Sequence, residues 1–278
     1  MPRTTAISLL TGENAPATLA ELYGLVIENV RKKALSQSLK NKNYSGDPTA
    51  GSVEHKRFAN AEPKAYGTAR RAAKGDKIKA APITVNLDSH REIVEEAAKN
   101  DIDRYGVTHL MQRRADNHVE SMVAELDRDY FKCISDSAIE FTPTETAVNE
   151  IIEQAVQTLE NVKNEYVDGV DRSLIDVVLN TTQYGKMRTF LDTQANPNVD
   201  TAGEEFGMYH GVKIYSSTRL ASGVNGLIMI NGAAAQPCSV DQYSEPEKIP
   251  LSNDYAVSLF YDKGEKNLTP DLTFVWKA

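Results

Sequence analysis

The chain has 278 residues, of which 41% are hydrophobic, enough for a substantial core in one large domain or two smaller ones. Its formal net charge of −8 argues against a dedicated nucleic-acid binder. There is no long apolar run typical of a membrane span, and the N-terminus lacks the apolar segment of a signal peptide. The two cysteines, Cys133 and Cys238, fit buried thiols of a reducing compartment.

The first 50 residues predict an N-terminal arm that contains a helix. Pro16 suits the first position of a helix, and apolar residues follow it at helical spacing as far as about Leu39. This helix has a single apolar stripe, so it needs a surface to pack on, which the same subunit or a neighbour can supply. Residues 40–51 are rich in turn-forming residues.

Residues 51–88 predict two strands joined by a long tip. Residues 52–60 have weak strand character, whereas Ile83, Val85 and Leu87 alternate with other residues and predict a second strand. The tip has almost no large apolar side chains to form its own core, and a two-stranded ribbon is marginally stable alone in water. We therefore predict a projecting arm that is stabilised by contacts with other chains.

The same arm is strongly basic. Residues 53–79 carry eight basic and three acidic side chains, a net charge of +5, which leaves −13 for the rest of the chain. Such an arm is expected to contact an acidic surface, such as that of another copy. The alternative is a solvated loop that is merely rich in lysine. The basic residues are Lys56, Arg57, Lys64, Arg70, Arg71, Lys74, Lys77 and Lys79.

Residues 107–131 predict a long amphipathic helix. The segment lacks Pro and Gly, and its apolar residues recur at three- and four-residue spacing; about 25 residues of helix span roughly 37 Å. Asp127 and Asp129 are expected on its solvated face rather than as an acid–base pair. The preceding residues 90–104 fit either the continuation of a strand or a short helix. The expected core residues of the long helix are Leu110, Met111, Val119, Met122, Val123 and Leu126.

A compact unit of helices and strands is predicted after this helix. Thr142, Pro143 and Glu145 match a capping box at the start of a helix of roughly 20 residues. Residues 174–179 then form an apolar run of the buried-strand type.

The remaining segments predict a further helix and several strands. The helix can be capped by Thr181 or Thr182, and residues 237–250 are expected to form a loop. With helices and strands mixed in this way, the predicted fold class is α+β. The further strands are predicted at residues 212–215, 227–230, 255–261 and 272–276.

The sequence contains no catalytic, metal-binding or cofactor-binding motif. It has no HExxH, CxxC, GxxxxGK[ST], GxGxxG or GxSxG pattern. We therefore predict no cofactor, no metal and no enzymatic activity. A soluble α/β enzyme with its site in residues 140–235 is the remote alternative.

The order of these elements resembles that of the major capsid protein of tailed bacteriophages, whose Hong Kong 97-type fold is also used by encapsulin shells. Residues 73–96 are similar to the descending strand of the family's extended loop, and residues 105–131 to its spine helix. Residues 176–192 resemble a strand, polar turn and short helix of that fold. Residues 207–220 and 226–237 resemble the paired strands that follow.

The resemblance implies a Hong Kong 97-like fold with four parts. These are an N-terminal arm in residues 1–50, an extended β-hairpin loop in residues 51–88, a peripheral domain in residues 89–136 and about 240–278, and an axial α/β domain in residues 137–239. The basic loop residues are then expected to contact neighbouring subunits. The family's best-known member crosslinks its subunits through a lysine and an asparagine; Lys64, Lys74 or Lys77 could supply the lysine, but no residue stands out as the asparagine.

The resemblance also implies a function. Copies of the chain are expected to self-assemble as pentamers and hexamers into an icosahedral shell around viral double-stranded DNA, in the virion, after assembly in the host bacterial cytoplasm. Because Met1 leads almost directly into the arm, we expect no removable assembly segment and hence a separate scaffolding protein. Other implied partners are a portal, packaged DNA held by non-specific contact and, optionally, a decoration protein; no membrane is involved. The alternative is an encapsulin compartment that holds an enzyme cargo.

Overall fold

The computed structural model describes residues 28–31, 33–61, 63–67, 77–97, 107–193, 208–240, 247–248 and 254–278. These residues form a mixed α+β fold in which two sheets lie against one long helix, the spine helix. The class is therefore the predicted one.

The helices are α1 (Leu35–Leu39), the spine helix α2 (Val107–Ser137), α3 (Val148–Glu160) and α4 (Thr181–Asp192). The strands are β1 (Ser52–Phe58), β2 (Ala80–Asn86), β3 (Ser89–Ala97), β4 (Ile139–Phe141), β5 (Ile175–Asn180), β6 (Met208–Tyr209), β7 (Val212–Ser217), β8 (Val224–Ile230), β9 (Ala234–Ala235), β10 (Cys238–Val240), β11 (Glu247–Lys248), β12 (Tyr255–Lys263), β13 (Lys266–Asn267) and β14 (Thr273–Lys277). Single turns of 3-10 helix lie at Pro48–Ala50, Arg172–Leu174 and Pro270–Leu272.

The larger sheet has six strands in the order β4-β14-β8-β5-β7-β6. Its strand β5 is parallel to β7 and antiparallel to β8. Val177 and Leu179 of β5 pack in one core with α3 and α4, whereas Val178 packs in a second core with Tyr130 and Phe131 of the spine helix. Both faces of the sheet are covered, which explains why β5 is a continuous apolar run.

The smaller sheet is built on the long strand β12, which pairs antiparallel with β3. The sequence did not distinguish between a strand and a short helix in this segment, and the structure has a strand from Ser89 to Ala97. Two short strands, β10 and β11, also pair with β12. The prediction that residues 237–250 are only a loop is wrong at these two places, because β12 offers both of its edges for pairing.

Two predicted groupings of strands differ from the observed topology. β14 lies between β4 and β8 in the larger sheet, whereas the resemblance grouped residues 240–278 with the peripheral domain. β7 and β8, which were expected to be paired with each other, are separated by β5. Both differences arise from pairing between segments that are distant in sequence.

The spine helix is longer than predicted and ends at Ser137 rather than near residue 131. Phe131 and Ile134 extend its apolar stripe into the core between helix and sheet. The expected core residues Leu110 and Met111 lie outside the residues whose side chains the structure describes. The other expected core residues are buried, namely Val119, Met122, Val123 and Leu126.

The predicted capping box does not begin a helix. α3 starts at Val148 with Ala147 as its N-cap and without a side-chain cap bond. The side chain of Gln154 instead accepts a hydrogen bond from the backbone N–H of Thr144 and donates one to its hydroxyl. This contact holds the preceding segment in an irregular turn, which contains Thr142, Pro143 and Glu145.

The cap predicted at Thr181 or Thr182 lies one residue earlier. Asn180 is the N-cap of α4, and its side chain accepts a hydrogen bond from the backbone N–H of Gln183 at 2.8 Å. Asn is as good an N-cap as Ser or Asp. The helix itself therefore begins where the sequence predicts it, with a different capping side chain.

The N-terminal arm is not one continuous helix. Residues 28–31 and 33 are helical, but Ala34 has an extended conformation, and α1 then ends at Leu39, the predicted end. Leu39 packs in the core between the spine helix and the larger sheet. The part of the predicted helix before residue 28 lies outside the described residues.

We predict that Gly264→Ala destabilises the protein. Gly264 follows β12 and lies against the end of β2, where a Cβ atom would collide with the backbone carbonyl of Asn86. The variant should lose about 2–3 kcal/mol of the free energy of unfolding, as overpacked positions do, measured by chemical denaturation.

The matched control for this variant is Gly185→Ala in α4. A Cβ atom at Gly185 meets nothing within 4 Å, so the better helix propensity of Ala should raise the free energy of unfolding by about 1 kcal/mol. If the two variants have equal stability, the close approach of the two chain segments at Gly264 is not a constraint.

Candidate assembly surface

The root of the hairpin is anchored on its own chain. β1 and β2 pair antiparallel, as predicted. Val53 and Val85 are buried and pack with Ala235 and Leu268 in a small core. The backbone N–H of Asn60 also donates to the carbonyl of Glu165 at 2.9 Å. The two ends of residues 51–88, which form the root of the hairpin, are thus held by their own chain. The prediction that contacts with other chains stabilise the whole segment does not apply to this root.

Arg57 is the strongest of these anchors. Its guanidinium donates two hydrogen bonds to the carboxylate of Asp271, at 2.6 and 2.8 Å, and its Cζ lies 4.3 Å from the ring centroid of Tyr166. The hydrogen bonds from Arg57 hold the pKa of Asp271 below its usual range. Arg57 was expected to contact another subunit, but its side chain is engaged within its own chain, since Asp271 is brought beside it by the fold.

Apart from these anchored residues, the hairpin exposes both basic and large apolar side chains. Phe58 is 56% exposed and Ile78 is 86% exposed, and the lysines around them are exposed as well. Arg70, Arg71 and Lys74 lie outside the described residues. We use the name loop surface for Lys56, Phe58, Lys64, Lys77, Ile78 and Lys79.

The outer face of the smaller sheet has the opposite charge. Glu92, Val94 and Glu96 occupy alternate positions of β3 and are exposed, and Phe260 lies opposite Glu92 on β12 and is partly exposed. We use the name sheet face for these four residues. Sequence reasoning did not single them out, because residues 92–96 read Glu-Ile-Val-Glu-Glu, which is not a clean alternation of polar and apolar residues.

The inner face of β3 is fixed to the spine helix by charged residues. The carboxylate of Glu95 accepts hydrogen bonds from Arg114, and His118 Nε2 lies 3.0 Å from it. Burial opposes ionisation of Glu95, but Arg114 and His118 together lower its pKa. This contact decides which side of β3 faces the helix and which side faces outward.

A buried lysine joins β12 to the spine helix. Lys263 is 0% exposed; its ammonium donates to Asp129 and lies 3.2 Å from Glu125 and 3.6 Å from Glu265. Burial acts to lower the pKa of Lys263, but the hydrogen bond with Asp129 and the other two carboxylates outweigh it and raise the pKa. Lys263 is therefore a charged centre that holds three carboxylates together.

Asp127 joins the N-terminal arm to the same part of the spine helix. It is 1% exposed and accepts hydrogen bonds from the backbone N–H of Ser36, at 2.9 Å, and from Arg219, at 3.1 Å. The expectation that Asp127 and Asp129 lie on a solvated face was wrong, because their partners come from distant parts of the chain.

The described residues give no sign of a metal centre or a membrane span. Among them, no three His, Cys, Asp or Glu side chains are grouped as ligands for an ion. None of the helices described combines the length and apolar character that crossing a bilayer requires.

Comparison with known proteins identifies the fold. Neither a protein-family model nor a curated protein sequence matches the chain. Solved structures do match it: that of Mycobacterium phage Che8 has a TM-score of 0.64 at 17% identity, over 88% of this chain and 91% of that chain. The capsid of cyanophage P-SCSP1u also has a TM-score of 0.64, at 13% identity over 88% of each chain.

A third match comes from outside the phages. The virus-like particle of Pyrococcus furiosus has a TM-score of 0.57 at 13% identity, over 92% of this chain and 98% of that chain. At such identities the similarity establishes the fold, and the sequence-based assignment of a tailed-phage capsid fold is confirmed.

We predict that Arg57→Gln loosens the root of the hairpin. Loss of the paired hydrogen bonds to Asp271 should lower the free energy of unfolding by about 1 kcal/mol, a modest value because both side chains are partly exposed. Hydrogen exchange of the β1 amides should accelerate. Lys56→Gln, one residue away and exposed, is the control and should leave both quantities unchanged.

The Arg57–Asp271 pair should also depend on pH. The pKa of Asp271 is lower in the folded chain than the unfolded value of roughly 4, so the pair stabilises the fold above that value. Its contribution is lost as the pH falls through the lowered folded pKa. Asp271→Asn should remove this part of the acid dependence; an unchanged pH profile of stability in the variant would contradict the pairing.

We predict that Lys263→Met destabilises the chain by about 3 kcal/mol, because it removes the cation that Asp129 and Glu265 share and leaves Glu125 with Arg91 as its cation. The loss should be smaller at pH 5 than at pH 7.5, since burial raises the pKa of Glu265 and its protonation removes one of the repelling charges. Thermal and urea unfolding at both pH values measure this. The control is Lys132→Met, which changes an exposed lysine on the spine helix. This variant should change the free energy of unfolding by no more than about 0.5 kcal/mol.

Proposed function

We propose that this chain, which has the Hong Kong 97-type fold of tailed-phage capsid proteins, is a major capsid protein. Its copies assemble as pentamers and hexamers into an icosahedral shell that encloses viral double-stranded DNA. The single observation that carries the proposal is the capsid fold over 88% of the chain. A structural role, rather than a catalytic one, agrees with this fold.

The contact that we propose between copies joins the loop surface of one subunit to the sheet face of the next. The loop surface is basic and the sheet face carries Glu92 and Glu96, so the two attract each other. Each also has exposed apolar side chains, Phe58 and Ile78 on one and Val94 and Phe260 on the other. Two different surfaces that meet head to tail generate closed rings, which is what pentamers and hexamers require.

Each such contact is weak alone. An exposed ion pair contributes about 0–1 kcal/mol, and full burial of a large apolar side chain contributes about 1.5–3 kcal/mol. A shell must therefore depend on many repeated contacts. Weak single contacts also allow a wrongly placed subunit to leave before the shell closes.

The other parts of the chain have complementary roles in this proposal. The spine helix with its two sheets is the rigid body, divided into a peripheral and an axial domain. The N-terminal arm, whose described part packs on its own spine helix, clasps another neighbour as well. A separate scaffolding protein, a portal and packaged DNA are proposed partners, with a decoration protein as an optional one. The mature protein belongs to the virion after assembly in the host bacterial cytoplasm.

The second candidate function is the shell of an encapsulin-like compartment. The similarity to the virus-like particle of Pyrococcus furiosus over 92% of this chain favours it. Purified particles distinguish the two functions, because packaged DNA and a portal vertex indicate a phage, whereas a protein cargo without a portal indicates a compartment.

We predict that reversing the charge of the loop tip abolishes assembly. The triple variant Arg70→Glu, Arg71→Glu and Lys74→Glu should give a folded subunit that forms no shells, because its tip then repels the sheet face of its neighbour. Circular dichroism tests the fold, and negative-stain electron microscopy with sedimentation velocity tests assembly. Normal shells from the triple variant would refute the electrostatic role of the tip.

A control and a rescue test whether the tip, which lies in sequence between the two parts of the loop surface, meets the same sheet face. The control reverses three exposed lysines outside the loop, Lys132, Lys163 and Lys213, and should still form shells. Adding Glu92→Lys and Glu96→Lys to the triple variant should restore assembly. If the rescue fails while the triple variant does not assemble, the loop contacts a surface other than the sheet face.

A further inference from the structure

A cavity of about 350 Å³ lies between the N-terminal arm and the root of the hairpin. The arm lines it with Arg31, Lys40 and Lys42, β1 lines it with His55, and the chain before β10 lines it with Gln236. Its volume lies within the range of small-molecule sites. Neither the fold nor the proposed shell contacts account for it.

The cavity is strongly cationic. Three of its lining residues are Arg or Lys, and no described lining residue is Asp or Glu. The Lys40 ammonium donates to the backbone carbonyl of Gln236 at 3.0 Å, which fixes its position and uses one of its three N–H donors. Convergent cations without a carboxylate are unusual in a chain with a net charge of −8, and they favour an anionic ligand.

A buried histidine gives a second, independent indication of a ligand. His55 is 5% exposed, and its Nδ1 has no hydrogen-bond partner among the described residues. The edge of its ring packs against Tyr44, another lining residue, with ring centroids 6.0 Å apart. Buried polar atoms are rarely left without a partner, so an unpaired ring nitrogen at this cavity fits a site whose ligand supplies the missing hydrogen bond.

We propose that this cavity binds a phosphate group, with Lys40 and Arg31 as its principal cationic partners and His55 as a buried hydrogen-bonding partner. Arginine suits phosphate oxygens because its fork of N–H donors can bind two at once, and lysine binds phosphate as a point charge. The group can come from free inorganic phosphate or from a nucleotide, since both present the same oxyanion. A bound phosphate would strengthen the link between the arm and the root of the hairpin, which Ser45 and Glu54 already join through backbone hydrogen bonds.

The proposed affinity depends on pH in a definite direction. Burial lowers the pKa of Lys40 to about 8; nearby Arg31 and Lys42 act in the same direction, and Cys238 opposes them. A phosphate favours the protonated form of Lys40, whereas burial lowers the pKa of His55, so the His55 ring has no charge to lose above pH 7. Phosphate monoesters remain dianionic above roughly pH 7. The affinity for phosphate should therefore be high at pH 7.5 and fall as the pH rises through the pKa of Lys40.

The test uses the full chain with inorganic phosphate, AMP and adenosine as probes, in isothermal titration calorimetry and in thermal unfolding at constant ionic strength set with chloride. Phosphate is expected to bind with a measurable heat and to raise the melting temperature above the chloride reference. AMP that binds more tightly than phosphate indicates a nucleotide as the source of the group, and equal affinities indicate free phosphate. No heat and no thermal shift with phosphate or AMP would overturn the proposal.

Two variants and a control assign the effect to the cavity. Arg31→Gln changes an exposed side chain and Lys40→Met retains most of the buried stem, so both should fold, and each should weaken phosphate binding about tenfold or more. Lys163→Met, an exposed lysine outside the cavity, should bind as the unchanged protein does. Unchanged affinity in Arg31→Gln and Lys40→Met would show that phosphate binds elsewhere and would refute the site.

Discussion

The second half of the spine helix holds the chain together through carboxylates whose partners come from distant parts of the chain. Asp127 is buried against the N-terminal arm and Arg219, while Glu125 and Asp129 gather around the buried Lys263 of β12. Removing charges from water costs several kcal/mol per ion, and only well-placed partners offset that cost. The arm, the helix and β12 therefore dock together, because Asp127 or Lys263 would otherwise be buried without its partner. This mutual dependence joins the three elements into one body, which the proposed shell role requires.

The hairpin is buried and anchored at its root but exposed to water farther out. At its root, Val53 and Val85 are buried in a core and Arg57 is held by Asp271, so position and direction are set within the subunit. Farther out, exposed lysines and the exposed Phe58 and Ile78 remain in water. A fixed root presents the outer part in a defined direction, which in the proposed contact would reduce the entropy that a neighbour must remove. In that proposal charge attracts the partner surface, and apolar area adds to the contact.

The local sequence pattern made many of the helices and strands predictable. Contacts between residues that are distant in sequence could not be predicted from it. The second hairpin strand and the spine helix repeat with the period of their own structure, and the apolar run of β5 is typical of a strand that is covered on both faces, so the local pattern alone predicts them. The capping box failed because Gln154, ten residues later, binds Thr144. Asp127 and Asp129 appeared solvated because their cations, Arg219 and Lys263, are far along the chain.

The candidate surfaces show the same division between local pattern and long-range contact. The charge count predicted a basic loop, but it could not separate Arg57, an internal anchor, from the exposed lysines beside it. The sheet face was not predicted, because residues 92–96, Glu-Ile-Val-Glu-Glu, do not alternate cleanly and so do not show which side of the strand faces outward. The pairing of Glu95 with Arg114 decides that, and it depends on how β3 docks on the spine helix.

The separation of Arg57 and Asp271 by 214 residues in the chain has a consequence for the order of events during synthesis. The hairpin leaves the ribosome well before its carboxylate anchor Asp271 and Leu268 of its root core. A nascent chain thus carries an unanchored hairpin until these two residues have emerged, since domains generally fold as units. Chains that stop before Leu268 therefore lack the contacts that set the direction of the hairpin.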